Sequence, residues 1–321
     1  MAQYSITAGR LTPAQITDVL RLAEAARDAD GVAPLSEHVL LHLRYDGSAP
    51  ESPGPGPAQD RDLILTVQDQ VAGYAHLDAA PGTAGTDLSA ELAIHPGHRR
   101  EGLGLALVRA LIAEADGHPV RVWAHGDLPA AAGLARAAGF GRVRALWQMR
   151  RSLAGELDQP RFRPGITLRT FRPGQDEDEW LNLNRRAFAG HPEQGAWTRR
   201  DLELREREPW FDPAGFFIAE RNDVMAGFHW TKVPGPAEEG IGEVYVVGVD
   251  PGEQGTGLGR ALTLAGLHYL QGRGLAEVIL YADEDNVPAI RLYEALGFMR
   301  WRTDAVYGGP RGAPPPANPR S

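Results

Sequence analysis

The chain contains no cysteine, which removes disulfide frameworks, thiolate zinc sites and cysteine nucleophiles together. Any chemistry must use oxygen and nitrogen groups. Of its 33 basic residues only Lys232 is a lysine, so a phosphate loop that places Lys after its last glycine is excluded. Acidic residues outnumber basic ones, 42 to 33. The formal net charge is −9 over 321 residues, a balance that suits neither a nucleic-acid groove nor an anionic membrane surface. No apolar run approaches the ~18 residues needed to cross a bilayer, and the opening MAQYSITAGR has neither a basic nor an apolar leader segment. A cytoplasmic chain acting on small molecules is expected.

What is present is a core-forming composition, 43% hydrophobic, on a length that favours two domains. Three pairs of similar segments recur in the same order. VAGYAHL (71 to 77) matches MAGFHWT (225 to 231), placing Gly73 over Gly227 at an offset of 154. LAIHPGHRREGLGLAL (92 to 107) matches VGVDPGEQGTGLGRAL (247 to 262) at an offset of 155, and LARAAGF (134 to 140) matches LYEALGF (292 to 298) at 158. The chain reads as two copies of one domain, residues 1–150 and 166–307, joined by a polar linker at 151–165. Two stretches are expected to be disordered: the Pro/Gly/Ser segment at about 46–60 within the first copy, and the Pro-rich tail 308–321.

In each copy the pattern is strand, two helices, strands, then helix, strand, helix, strand. In the second copy FFIAER and VMAGFHWTK form a hairpin around Arg221, Asn222 and Asp223. GEVYVVGV is a strand that runs into the turn QGTGLGRAL and a long helix. The layout is α/β, with a mixed sheet covered by helices.

The glycine turn leaves backbone N–H groups bare at a helix N-terminus, where an anion such as a phosphate fits. Alone, the glycines equally suit a tight turn. A dinucleotide fingerprint is disfavoured, because Gly255, Gly257 and Gly259 do not follow its spacing.

The wider pattern is a strand ending in Asp-Pro or His-Pro, then Arg/Gln-x-x-Gly-x-Gly, a long helix, a strand, Asn-x-x-Ala opening a helix, and Leu-Gly-Phe. It resembles the GNAT superfamily of N-acetyltransferases, which bind acetyl-CoA in this way. The resemblance implies two tandem GNAT-type domains, each a mixed, mostly antiparallel sheet flanked by helices. Gln254, Gly257 and Gly259 match the pyrophosphate motif in the second copy; Arg99, Gly102 and Gly104 match it in the first. It further implies acetyl-CoA contacts from Leu92, Ala93 and Ile94, from Val247, Gly248 and Val249, from Gly255, Thr256, Leu258 and Arg260, and from Asn286, Val287, Pro288, Ala289, Ile290 and Arg291.

Acetyl transfer to an amine needs a base and an acid. Glu243, at the start of the strand beside the expected acetyl group, is the candidate base. Tyr293 occupies the position on the last helix where the superfamily often carries its acid. Backbone N–H groups around Val247 to Val249 would hold the thioester carbonyl. The sequence offsets set Leu88 against Glu243 and Ala135 against Tyr293, so the first copy is expected to be catalytically silent. A solvated strand-end charge and a core tyrosine are the plainer readings of the two residues.

Within the superfamily, PLSEHVLLHLR, AFAGHPEQGAWT, WFDPAGFFIAE, GFHWTK, GEVYVVGVDP and QGTGLGRALT are similar to the mycothiol synthase family. That similarity implies N-acetylation of the cysteine amine of a cysteinyl glucosaminyl-inositol, a small thiol-sugar amine, with Glu37, Glu193, Lys232, Glu243 and Tyr281 at substrate-contact positions. Acetylation of another small amine and a non-catalytic acyl-CoA sensor are the alternatives. A monomer is expected, and no metal, since no second ligand-type residue stands near His229 at metal spacing.

Overall fold

The computed structural model describes residues 3–46, 61–78, 87–233 and 240–309. The expected disordered loop, from residue 47, and all but the start of the expected tail lie outside the described residues. The chain forms two compact units, Met1–Leu146 with Thr303–Ser321, and Trp147–Arg302.

The first unit holds strands β1 (Tyr4–Ala8), β2 (Arg61–Val67), β3 (Gln70–Leu77), β4 (Leu88–Ile94) and β5 (Val120–Ala124), with helices α1 (Pro13–Asp30), α2 (Glu37–Leu41), α3 (Leu103–Glu114) and α4 (Pro129–Ala137). The second holds β7 (Ile166–Thr170), β8 (Phe216–Arg221), β9 (Val224–Lys232), β10 (Ile241–Val249) and β11 (Glu277–Asp283), with α5 (Glu177–Ala187), α6 (Pro192–Gly195), α7 (Arg199–Glu206), α8 (Leu258–Gly272) and α9 (Val287–Ala295). The division between units falls inside β6 (Gly141–Ser152) and inside β12 (Met299–Gly308).

This division corrects the expected boundaries. Residues 305–308 of β12 pair antiparallel with β5, Ala305 opposite Ala124, and so complete the sheet of the first unit. Residues 147–165 belong to the second unit, where Met149, Leu153 and Leu157 are buried in the cluster formed with Leu264, Leu267, Val278 and Phe298. The stretch read as a linker therefore buries apolar side chains and packs as part of a core. The strand order is β1-β2-β3-β4-β5-β12 in the first unit and β6-β11-β10-β9-β8-β7 in the second.

Local chemistry sets these elements. The β8–β9 turn places Asn222 and Asp223 at φ of 51° and 60°, the left-handed pair that a two-residue hairpin requires and that Asn and Asp tolerate. Helices α1 and α7 start at Thr12 and Thr198, each in a reciprocal capping box with Gln15 or Asp201. Helix α8 crosses over the sheet at Gly266, where a Cβ would lie 2.0 Å from the ring of His229. That ring is buried, its Nδ1 is 2.8 Å from the Leu262 carbonyl, and burial holds its pKa down at about 4, so His229 is a neutral core residue.

The two sheets carry different cores at equivalent positions. In the second unit Phe216, Phe228, Trp230 and Val246 join one apolar cluster, with the Phe216 and Trp230 rings stacked at 4.5 Å. In the first, the matching positions are Asp62, Tyr74, His76 and Glu91, all buried.

Candidate functional site

Strand β10 organises the second unit. Its ladder with β9 pairs Glu243 with Lys232 and Val244 with Thr231, then skips to Val246 opposite Trp230. Tyr245 is the extra residue of a β-bulge, which turns the strand over. Val244 packs in the cluster under α8 and α9, whereas Val246, two residues on, packs with Trp180 and Trp230. Tyr245 is held on several sides. Its phenol oxygen accepts from Arg205 Nε at 2.7 Å, and its ring centroid lies 4.9 Å from Trp210 and 5.2 Å from Trp230. Arg205 is buried with its guanidinium 3.9 Å from the Trp197 ring centroid.

In the first unit β3 and β4 pair without a break from Gly73–Ile94 to Leu77–Ala90. The bulge therefore explains the change of repeat offset from 154 to 155, and it corrects one equivalence. By register the counterpart of Glu243 is Ser89 rather than Leu88, because Glu243 neighbours Ile279 and Ser89 neighbours Arg121 in the parallel ladders. Serine is no more a carboxylate than leucine.

Strands β10 and β11 pair only over Ile241–Val244 against Glu277–Leu280, while β10 continues to Val249 beside β9. The two strands thus part beyond Val244 and Leu280, leaving the β11-side edge of Val246–Val249 without a ladder partner among the described residues. Edge N–H groups of this kind can receive an extended ligand. The first unit repeats the split, with β4 and β5 paired only over Leu88–Ala90 and Val120–Val122. There Ala93 is buried and the side chains of Leu92 and Ile94 pack on the core.

After β10 comes the glycine turn. Asp250 Oδ1 accepts from the Gly252 N–H at 2.9 Å and Oδ2 from Arg186 Nε at 2.9 Å, so its carboxyl is held below the usual carboxylate range. Thr256 Oγ1 donates to the Glu253 carbonyl at 2.7 Å. Gly255 and Gly257 have φ of 72° and 89°, and Gly257 is the N-cap of α8 with no side chain capping it. A Cβ at either position would meet nothing within 4 Å. Bare amides at a helix N-terminus facing open space fit a diphosphate, so this turn suits the phosphate end of acetyl-CoA. Helix α3 starts in the same way at Gly102, φ 85°. Its neighbour Arg99 is already engaged by Asp30 through two hydrogen bonds of 2.7 and 2.8 Å, while Gln254, at the equivalent position, is exposed.

Among the other expected contacts, several side chains have structural partners. Leu258 and Ile290 are buried in core clusters, Arg260 pairs with Asp158 at 2.6 Å, and Asn286 caps α9 through the Ala289 N–H at 3.2 Å. Gly259 has room for a methyl group, with Val249 Cγ2 at 3.6 Å. Val287 is exposed, as are Pro288 and Arg291.

Glu243 and Lys232 are ladder partners on the same face of the sheet, and both are half-buried. Lys232 Nζ lies 4.8 Å from the Trp210 ring centroid and 5.6 Å from that of Tyr245, within cation–π range. Tyr281, two residues beyond Ile279 and so on that face too, accepts from Gln148 Nε2 at 2.7 Å. Tyr293 comes from α9 on the other side, its ring 5.9 Å from Phe298. Its hydroxyl has no hydrogen-bond partner among the described residues, and burial raises its pKa to about 12. Glu37 is half-buried in the first turn of α2, in the first unit. The Glu193 side chain lies outside the described residues. Tyr245, Arg205, Trp197 and Trp210 are not among the residues expected from the sequence; the slipped repeat offset marks Tyr245 alone.

The Acetyltransferase (GNAT) family matches residues 45–140 and 178–298. A mycothiol acetyltransferase of Thermobispora bispora is 56% identical over 93% of this chain and 97% of its own. One from Thermomonospora curvata is 57% identical, covering 94% and 95%. Among solved structures, a tandem GNAT protein from the clavulanic acid biosynthesis pathway superposes with a TM-score of 0.71 at 21% identity, covering 97% of this chain and all of its own. A GCN5-related N-acetyltransferase from Sphaerobacter thermophilus superposes with a TM-score of 0.66 at 24% identity, covering 94% and 95%.

Proposed function

Because the chain belongs to the GNAT acetyltransferase family and, within it, to the mycothiol acetyltransferases, we propose that its second unit transfers acetyl to the cysteine amine of a cysteinyl glucosaminyl-inositol. The protein is an acetyl-CoA-dependent N-acetyltransferase of mycothiol biosynthesis; the acceptor and the residue roles are the proposal. Acetyl-CoA supplies an acetyl thioester. The amides of Gly255 to Arg260 hold its diphosphate, and the open edge of Val247 to Val249 offers N–H groups to the thioester carbonyl as its oxygen gains charge.

Glu243 takes the proton from the acceptor amine. The α-amine of cysteine has a reference pKa of ~7.7 to 8.0, so part of it is neutral near pH 7 and one carboxylate suffices as base. Tyr293 gives its proton to the departing sulfur, for which a phenol that stays protonated and has no other hydrogen-bond partner among the described residues is suited. Lys232, Tyr281 and Glu193 bind the uncharged polyol portion, Lys232 as a compact ammonium set over Trp210.

The observation that carries this reading is Glu243, a half-buried carboxylate where β10 and β11 are about to part, at a position that holds Ser89 in the first unit. Steady-state acetylation of cysteinyl glucosaminyl-inositol against a panel of aminoglycosides, peptide N-termini and free cysteine tests it. A kcat/KM at least about 100-fold higher for the glycoside is expected. Equal or better turnover of another amine would remove the acceptor assignment.

A further inference from the structure

The first unit contains a group of ligand-type side chains that acetyl transfer does not use. His38 in α2, His42 just after it, Asp62 in β2, His76 in β3 and Asp78 just after β3 form a chain of alternating imidazoles and carboxylates. His38 Nε2 is 3.0 Å and His76 Nε2 is 3.1 Å from the same Asp78 oxygen, Oδ1. These three donor atoms lie within 4.8 Å of one another. On the far side of the His76 ring, Nδ1 is 3.0 Å from Asp62 Oδ1, which also accepts from the Tyr74 hydroxyl at 2.6 Å; Asp62 Oδ2 is 3.1 Å from His42 Nε2.

The fold does not demand this set, since the second unit fills the positions of Asp62, Tyr74 and His76 with Phe216, Phe228 and Trp230. A buried polar cluster costs stability relative to such a core unless its groups are paired.

We propose that the first unit binds one divalent transition-metal ion of the zinc class on His38 Nε2, His76 Nε2 and Asp78 Oδ1. Zinc binds imidazole nitrogen and carboxylate oxygen at about 2.0 to 2.2 Å, and three protein ligands leave a fourth position open. The surroundings of His76 match what such a ligand needs. A metal-bound histidine donates its other N–H to a carboxylate that fixes the ring and raises its basicity, and Asp62, itself held by Tyr74 and His42, stands there. One divalent ion would also offset the two carboxylates, Asp62 and Asp78, and its binding would displace the protons from its histidine ligands.

A second donor triad, His42, Asp62 and His76 Nδ1, is the weaker choice. Its side chains are almost closed to solvent, whereas His38 and Asp78 retain 50% and 26% of their side-chain exposure and provide a way in. The ligands come from separate elements, so the sequence spacing does not announce them.

The test uses the full chain without a histidine tag, stripped with a chelator and titrated calorimetrically with Zn2+, with Co2+ as a spectroscopic probe. One equivalent per chain is expected, with visible Co2+ absorption of a low-coordinate nitrogen/oxygen site. His38→Ala, at a half-exposed position that should leave the fold intact, and Asp78→Asn should each weaken binding by more than about tenfold, and Asp62→Asn by about 10- to 100-fold. Circular dichroism verifies that each variant is folded. Failure of the native protein to take up an equivalent of metal, or unchanged affinity in folded His38→Ala and Asp78→Asn, would overturn the proposal and leave the cluster a hydrogen-bonded chain. Neither readout depends on acetyl transfer.

Discussion

The phenol oxygen of Tyr245 accepts the Arg205 guanidinium at 2.7 Å, and the residue so held is the one that turns β10 over between Glu243 and the open edge. Tyr245→Phe leaves a buried Arg205 donor without its partner, a loss of about 1 to 3 kcal/mol. The expected outcome is a lower melting temperature and a kcat reduced by roughly tenfold, with the KM for acetyl-CoA changed by less than about twofold. Thermal unfolding and steady-state kinetics check both. A variant with normal kcat would mean that the bulge does not set the reacting geometry.

Gly257 and Gly102 begin α8 and α3 with nearly the same backbone, φ 89° and 85°. An alanine in that conformation costs about 1 to 2 kcal/mol, so Gly257→Ala and Gly102→Ala should destabilise their units alike. Only Gly257→Ala should raise the KM for acetyl-CoA, by about tenfold, because only the second unit is assigned the reaction. An equal kinetic effect at Gly102 would assign turnover to both units.

Tyr293 makes no hydrogen bond among the described residues, so Tyr293→Phe should leave the melting temperature almost unchanged while kcat falls by about 10²- to 10⁴-fold. Burial places the phenol at about pKa 12, well above its ordinary value. The phenol therefore stays protonated through neutral pH and loses its proton only as pH rises towards 12, so if Tyr293 is the acid, as proposed, the pH profile of the native enzyme should show no falling limb from it below about pH 10. A falling limb near pH 8 that vanishes in Tyr293→Phe would contradict this.

Glu206 is raised to about pKa 7 by partial burial and by the charges of Glu177 and Glu203. A carboxyl whose folded pKa exceeds its unfolded value favours the folded state when protonated. Its contribution is full below the unfolded value near 4.5 and is lost as pH rises through 7. Glu206→Gln should accordingly raise the melting temperature more at pH 7.5 than at pH 5. The same shift at both pH values would rule out the linkage.

Much of this architecture is legible in the sequence, because apolar periodicity and turn residues state where elements lie. The β8–β9 hairpin around Asn222 and Asp223, the strand Ile241–Val249 and the glycine-opened helix α8 follow from such local patterns. Partners across the chain do not. The alternation of RWRTDAVY predicts a strand, but nothing in it says that Ala305 pairs with Ala124. Likewise a bulge leaves no composition of its own: Tyr245 shows only as a one-residue slip between repeats, which moved the counterpart of Glu243 from Leu88 to Ser89. The polar cluster around His76 stayed hidden because its members lie as far apart as residues 38 and 78 and meet only when β2, β3 and α2 pack.

The proposal places the base chemistry on one carboxylate of the second unit, Glu243, where the equivalent position of the first unit holds Ser89. The decisive measurement is kcat/KM for acetylation of the cysteinyl glucosaminyl-inositol by Glu243→Gln and, as control, Ser89→Ala, both verified as folded. A loss of about 10²- to 10⁴-fold is predicted for Glu243→Gln and less than about twofold for Ser89→Ala. Near-native turnover by Glu243→Gln, or a comparable loss at Ser89, would contradict the account.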